Sequence, residues 1–498
     1  MTDQAAARSH GGDPRRAARW VLGILTIALS FALAVTKVSS YDTWVHLSLG
    51  RWMAENGQVP RANLLSYTQP ERAAIDHQWL FQAGLYGLWR IGGLDAATLV
   101  KAAVVAAAFG VVLATARRKG SDFVVAAVIV LVAAGAARFR FTLRPQVVGL
   151  LLLALCAFVL ECWRAGATRG LLALVPLQVV WANVHGSAIL GIGLAGGFAA
   201  GETIRAALAR RMADVSPAPR GRHELAWLWG VAFALVPLTL LNPGGAEILS
   251  LPFTHAGKQV ASGLKELLQD RAAVAWSDLG TRHACFAVLG VATLGSLVAS
   301  ISRRDVTEVG LCLGALAAAL FSERFIDLFA VAAAPIAARS LSTLFRRPLS
   351  RIGRPLLYAL GVAALAGVAV MATAASGAAV PFGLGIADGR FPEHELAFIQ
   401  EHHPAGNLFN EFEHGGYIAW RTRRPVFIDS RGMLAYEPRF FRSYVDAWES
   451  RETWRELMER WHVRVALVGR RSLQAMFRAD DRWEQVFQGP VCAVFVLK

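Results

Sequence analysis

The sequence predicts a polytopic α-helical membrane protein of about eleven transmembrane helices, ending in a small extracytoplasmic α/β domain. Three observations carry that prediction. Of 498 residues, 55% are hydrophobic and only 17% charged, against about 25% charged in an ordinary soluble domain. Apolar runs of bilayer-spanning length recur from Trp20 onward, which excludes a purely soluble enzyme and a disordered chain. The net charge of +15 is unevenly placed: residues 381–498 hold 16 Lys/Arg and 16 Asp/Glu, leaving 35 basic and 20 acidic residues upstream. Basic residues flank membrane spans on their cytoplasmic side, so the charge reads as membrane orientation, and no nucleic-acid partner is expected.

Residues 1–19 form a polar cytoplasmic tail ending in Arg15, Arg16 and Arg19, before the apolar run 20–38. A basic stretch before an apolar run also suits a signal peptide, but this run is too long for that and many more follow. It is therefore expected to be retained as the first span. Further spans are expected near 95–116, 121–137, 145–163, 171–183, 187–206, 225–241, 284–301, 306–322, 325–343 and 355–379. The membrane domain would then cover 20–380, with a first outer loop over 39–94, and the extracytoplasmic domain 381–498. With the N-terminus inside, Arg117-Arg118-Lys119, Arg164, Arg169, the stretch from Arg210 to Arg222, Arg303-Arg304 and the stretch from Arg346 to Arg354 all fall on the inner side. The apolar stretch 79–91 would break this parity if it crossed. Only Gly92-Gly93-Leu94 separates it from the next span, so it is expected to lie at the interface. In the tail, strands are expected at 407–412, 425–429, 463–468 and 491–497, and helices at 438–448 and 452–461. The five cysteines are odd in number and lack CxxC spacing, so they point neither to a zinc site nor to a disulfide framework.

The first outer loop carries the densest chemistry. Asp42 and His46, in Tyr41-Asp42-Thr43-Trp44-Val45-His46, are four apart and share a face if helical. A carboxylate at the outer end of a span can take a proton from an acceptor or hold a divalent cation, Mg or Mn being the natural choices. A second acid–histidine pair, Asp76-His77, precedes the interfacial stretch. The structural alternative makes Asp42 a helix cap and Trp44, Trp52 and Trp79 headgroup anchors. Against the positive-inside trend, Arg138, Arg140 and Arg144 lie outside, as does Arg324. Arginine forks bind phosphate oxygens, so these residues suit the phosphate of a lipid carrier; snorkelling to lipid headgroups is the alternative, and Arg324 also has Glu323 and Asp327 beside it. His185, in Asn183-Val184-His185-Gly186, interrupts two apolar segments and is a candidate pocket residue, or part of a tight turn. Asn242-Pro243-Gly244-Gly245 reads as a turn and Glu266 as part of a solvated helix face. Asp429 pairs most simply with Arg431 or Arg424 for structure. The chain has no Walker loop, GxSxG elbow or HExxH, which disfavours those hydrolases and ATP-driven transport.

The stretch from Tyr41 to His46, with Arg51, Glu55-Asn56-Gly57 and Pro60 after it, resembles the first-loop motif of oligosaccharyltransferase catalytic subunits. The segment from Phe412 to Asp429 is distantly similar to the region of their WWDYG motif, Gly416-Tyr417-Ile418 matching best, with Glu411 to His414 where the paired tryptophans stand. The chain as a whole resembles the GT-C superfamily of polyprenyl-phosphate-dependent glycosyltransferases. Its nearest likeness is to glycosyltransferase-like bacterial integral membrane proteins, through Asp76 to Trp79, Arg144-Pro145, Asn183 to Gly186, Asn242-Pro243 and Phe427 to Arg431. The resemblance implies a sugar transferred at the outer face of the bacterial inner membrane, from a polyprenyl-phosphate or -diphosphate donor to a glycan, lipid or protein acceptor. Asp42 would be the base or a metal ligand, and His46, Asp76 and His77 would complete the catalytic wall. Arg138, Arg140, Arg144, His185 and Arg324 would bind substrate. The alternatives are a non-catalytic scaffold of an envelope-assembly complex and a lipid or solute transporter. The second predicts acids at mid-membrane, whereas the marked acids sit at span ends.

Overall fold

The computed structural model describes residues 14–212, 215–250, 274, 277, 279, 283–376, 380–402 and 404–498. Glu266 lies outside them. The body is helical: α1 (Pro14–Ala34), α2 (Asp42–Asn56), α3 (Trp79–Arg118), α4 (Phe123–Ala137), α5 (Gln146–Arg164), α6 (Leu174–Val184), α7 (Ile189–Ala209), α8 (Arg222–Thr239), α9 (Ala284–Ser302), α10 (Val306–Phe321), α11 (Ile326–Leu344), α12 (Arg346–Arg351) and α13 (Arg354–Ser376). Every expected span contains a helix among the described residues. Eight of the eleven are long and apolar enough to cross a bilayer, which makes the chain a multi-pass membrane protein. Two others, Thr168–Val184 and Val306–Phe321, are shorter, and α8 opens on Arg222, His223 and Glu224. The stretch 79–91 and the next span follow directly on one another as α3, but helical geometry breaks between them at Gly92 and at Gly93, whose φ of 65° a side chain rarely tolerates.

α4 is apolar on every side and stands at the centre. Ala126, Ala127, Val130, Leu131, Ala133 and Ala134 are buried, and α1, α3, α9, α11 and α13 pack around it. Small residues let these helices approach closely, as interfaces between membrane helices require. At the end of the body that carries the expected inner loops, charge is buried rather than solvated. Glu308 accepts from Lys119 (2.9 Å), Arg339 (3.0 Å), Arg303 (3.2 Å) and Ser300 (3.0 Å). Arg164 binds Asp305 at 3.2 Å and also pairs with Glu202, which in turn holds Arg205 at 2.6 Å. Charges expected only to orient the chain thus also bind α3, α5, α7, α9, α10 and α11 together.

The C-terminal part contains α14 (Glu393–His402), β1 (Asn407–Asn410), α15 (Gly415–Thr422), α16 (Pro438–Asp446), α17 (Arg451–Arg460), β2 (Val463–Val468), α18 (Arg471–Arg478), β3 (Trp483–Gln488) and β4 (Ala493–Leu497). Its four-stranded sheet runs β1-β2-β4-β3, parallel between β1 and β2 and antiparallel elsewhere. Phe409, Phe427, Tyr444, Trp454, Phe477 and Phe495 form its core. The expected strand at 425–429 is not in the sheet. The Asn410 side chain takes the place of a ladder there, accepting from Phe427 N (2.9 Å) and donating to Ile428 O (2.7 Å). The segment instead forms a single bridge, through Val426, with Ser66 of the loop between α2 and α3. β3, with its exposed polar face, was not expected.

This part sits against α2 and α3. Trp44 is buried against Phe391 and Tyr417, and Trp420 packs edge-on to Trp89 at 4.8 Å beneath the Arg51 guanidinium. Trp44 is therefore a packing residue and not a headgroup anchor. Gly50 permits the crossing of α2 over α3: a methyl there would stand 2.8 Å from Tyr86 Cβ and closer still to the Gln82 carbonyl. Gly50→Ala is expected to destabilise the protein by about 1–3 kcal/mol, read as a lower melting temperature in detergent.

Candidate functional site at the head of α2

Asp42 is the first residue of α2, following Tyr41 at the N-cap, whose side chain makes no cap hydrogen bond. The carboxylate turns outward from the helix. One oxygen accepts from Ser430 Oγ at 2.5 Å and the other pairs with Arg144. Three parts of the chain therefore meet at one carboxylate: the head of α2, the turn before α5, and the C-terminal part. The turn is fixed locally, since Thr43 Oγ1 donates to Leu143 O (2.9 Å) and Thr36 Oγ1 to Phe141 O (3.1 Å). About a quarter of each partner side chain remains exposed, so the pair is open to a ligand.

One turn along α2, His46 is buried with its Nδ1 3.3 Å from Gln82 Nε2 and its ring edge-on to Phe81. Burial pushes its pKa down to about 4, against the pull of Asp42 and Asp76. The same Gln82 contacts Asp76, whose pKa burial raises. Asp76 Oδ1 accepts from Gln78 N, while its Oδ2 is buried with no hydrogen-bond donor, an arrangement suited to a carboxyl that holds a proton. Burial also lowers His77 to about 4. The pH consequence has a definite sign. His46 takes up a proton near 6.5 unfolded but only near 4 folded, so its contribution is complete above 6.5 and is lost as pH falls from 6.5 to 4. That loss is at most ~3 kcal/mol. His46→Gln is expected to flatten the fall in melting temperature between about pH 7 and about pH 4.5; an unchanged slope would assign it to other groups.

The arginines divide. Arg140 faces Asp327 (3.9 Å), and Arg324 lies over the Phe325 ring at 5.1 Å. Glu323, the other acid beside Arg324, is engaged by His283 at 3.2 Å. His185, which shares a short 2.6 Å hydrogen bond with Ser187 Oγ, is within electrostatic reach of His77, Arg140, Arg144 and Arg324. Eight of the nine singled-out residues are therefore linked through one neighbourhood: Asp42, His46, Asp76, His77, Arg140, Arg144, His185 and Arg324. Arg138 takes another direction. It is buried, donates to Val380 O at 3.1 Å, and leaves two guanidinium nitrogens without partners.

Several contributors were not singled out in the sequence. Ser430 reaches Asp42 because Asp429 and Arg431 on either side of it are locked. Asp429 accepts twice from the Arg431 side chain (2.8 and 2.6 Å) and once from Tyr436 (2.9 Å), and Arg431 also donates to Asn63. Asn183 and Asn242 clamp the wall from behind. Asn183 accepts from Trp79 Nε1 (2.6 Å), and Asn242 donates to His77 O (3.0 Å) and Ala182 O (2.9 Å). An isolated serine or asparagine carries no signal of such a role until its long-range partner is known.

A divalent cation on Asp42 finds little support in the donor set. Both carboxylate oxygens are engaged, and a guanidinium already stands where a cation would. Among the described residues, three metal-ligating side chains converge only at Glu411, His414 and Cys492.

No protein-family model and no curated protein sequence matches the chain. Solved structures do. The oligosaccharyltransferase of Archaeoglobus fulgidus, tethered to an acceptor peptide containing the NVT sequon, superimposes with a TM-score of 0.62 at 11% identity, over 91% of this chain and 69% of that one. The same organism's AglB with an inhibitory peptide and a dolichol-phosphate gives 0.59 at 11% identity, over 90% and 69%. ArnT from Cupriavidus metallidurans bound to undecaprenyl phosphate gives 0.54 at 12% identity, over 96% and 97%. At such identities the likeness establishes the fold alone, which the chain shares with these oligosaccharyltransferase and ArnT structures.

Proposed function

We propose that the protein transfers a sugar from a polyprenyl-phosphate or -diphosphate donor to an envelope acceptor, on the outer face of the bacterial inner membrane. Residues 381–498 would form the extracytoplasmic domain closing over that site. The observation that carries the reading is the pairing of Asp42 with Arg144 at the edge of a cationic neighbourhood that includes Arg140 and Arg324. The similar structures add weight, because those of AglB and ArnT hold a polyprenyl phosphate.

The chemistry follows from these residues. An acceptor hydroxyl loses its proton to the Asp42 carboxylate as its oxygen bonds to the anomeric carbon of the sugar. The bond from that carbon to the phosphate oxygen breaks, and the phosphate leaves with the electron pair. The leaving anion needs charge stabilisation more than a proton, and Arg140, Arg144 and Arg324 supply it. A phosphate drawing on Arg144 would also loosen its hold on Asp42 and free the base. His46, neutral through burial, and Gln82 would keep the wall in place, and Asp76 would hold its proton.

The reading is tested by titrating undecaprenyl phosphate onto the protein in nanodiscs. Arg140→Gln with Arg324→Gln is expected to weaken binding by about 10²-fold or more, since each charge-assisted contact contributes about 1.5–3 kcal/mol. Binding equal to wild type would remove the phosphate site. The saturation of Asp42 by Ser430 and Arg144 favours one second reading, a scaffold in which this triad pins the C-terminal domain to the membrane body.

A further inference from the structure

The Glu411–His414–Cys492 cluster lies outside the site built around Asp42. Its side chains come from the turn between β1 and α15 and from the residue just before β4. All three are buried, and one ligand atom from each lies within 4.8 Å of the others. Two details argue that packing alone does not explain it. His414 is 6% exposed, yet its Nδ1 has no hydrogen-bond partner, a costly state for a buried imidazole. Gly469 faces the same space: a methyl there would stand 3.0 Å from Glu411 Oε2 and 3.4 Å from Cys492 Sγ, so the missing side chain leaves room beside both.

The geometry points to a zinc-type metal site in which Glu411, His414 and Cys492 supply three protein ligands. The donor set selects the metal. A thiolate with an imidazole and one carboxylate suits zinc, or cobalt and ferrous iron as its stand-ins, and disfavours magnesium and calcium, which take oxygen. With the three ligand atoms all within 4.8 Å of one another, a common centre lies at most about 2.8 Å from each, so the ligands need close by no more than about 0.5–0.8 Å to reach zinc distances near 2.0–2.3 Å. The charges also fit. A carboxylate and a thiolate neutralise a divalent cation in this buried pocket. Glu411 accepts from Gly469 N and Arg470 N, both at 2.8 Å, the outer hydrogen bonds that aim a ligating carboxylate; unlike the arginine on Asp42, Arg470 stands back at 3.7 Å and hydrogen-bonds Glu413 at 2.7 Å instead.

Position gives the site a task. The 411–414 turn leads directly into α15, whose Gly416 lies against the backbone of α2, with Val45 N 3.1 Å from where its Cβ would be. A metal tying that turn to β4 would fix α15, and with it the surface on which the head of α2 rests. Nothing in this inference depends on the roles given to Asp42 and the arginines.

The test uses the full-length protein in detergent. Metal analysis after purification without chelator is expected to find about one zinc per chain. Chelator-stripped protein titrated with Co²⁺ is expected to develop a thiolate-to-cobalt charge-transfer band and tetrahedral d–d bands. Cys492→Ser should lose the charge-transfer band, and His414→Gln should lower the bound metal in a chain whose thiols are intact. Restoring zinc to stripped wild type should raise its melting temperature. Absence of the charge-transfer band in the wild-type titration overturns the site without recourse to any variant, as does a band that survives in Cys492→Ser.

Discussion

Asp42→Asn is expected to reduce sugar transfer by about 10²–10⁴-fold, the range for removal of a general base, while the protein still accumulates and folds. Folding should survive because the replaced pair is weak in energetic terms. Asp42 and Arg144 are each about a quarter exposed, and pairs open to solvent contribute about 1 kcal/mol or less. Asparagine keeps the shape and an oxygen that can accept from Ser430. What it loses is the negative charge that accepts a proton and restrains Arg144. Quantitative transfer by membranes from cells expressing each variant at matched levels is the check. Asp76→Asn gives a useful contrast. Burial already favours the protonated form of that carboxyl, so its amide should be tolerated far better than the amide at position 42. Undiminished function of the double variant Asp42→Asn/Asp76→Asn would sink the transferase reading and favour the scaffold.

Glu308→Ala is expected to have the largest effect on stability, about 3–5 kcal/mol, as is typical when one partner of a buried ion pair is removed. Glu308 is 1% exposed and is the shared acceptor for Lys119, Arg303 and Arg339. Truncating it leaves three cations together at the helix ends, and among the described residues neither Arg339 nor Arg303 forms an ion pair with another carboxylate. Thermal unfolding in detergent should show a fall of many degrees, together with poor accumulation in membranes. Glu308→Gln keeps the volume but not the charge and should recover only part of the loss. A melting temperature equal to wild type would mean that the network is hydrated and contributes little.

The membrane body was legible because the bilayer imposes length and apolarity on each span separately, which is why even the weak segments near 171–183 and 306–322 are helical. The boundary after 79–91 was legible too, since Gly92 and Gly93 leave helical geometry where the break was expected. Among the features that escaped are β3, whose exposed polar face lacks the alternation of a half-buried strand, and the segment 425–429. The segment 425–429 has the alternation of a strand but meets the Asn410 side chain and Ser66 in place of a neighbouring strand, a long-range event that no local pattern encodes.

The candidate site was legible to the same depth. Asp42 and His46 declare themselves through helical spacing, and the arginines through their placement against the charge trend. Ser430, Gln82 and Asn63 do not, since each matters only through a partner far away in the chain. Cysteine spacing likewise gave no hint of Glu411, His414 and Cys492, because the tertiary fold brings together a turn and a strand end. Arg138 shares its short motif with Arg140 and Arg144 but not their direction, since the turn after α4 aims it at Val380 O.

The most direct measurement is of the donor lipids themselves. Liposomes made from total lipid of bacterial membranes that contain lipid-linked sugars, with the purified protein inserted and the acceptor fraction added, can be followed by mass spectrometry. A GT-C glycosyltransferase acting through Asp42 should deplete one polyprenyl-linked sugar and release the matching polyprenyl phosphate or diphosphate, and Asp42→Asn liposomes should leave that lipid unchanged. Depletion at the same rate with wild type and Asp42→Asn, or no depletion of any polyprenyl-linked sugar by the wild type, would contradict it.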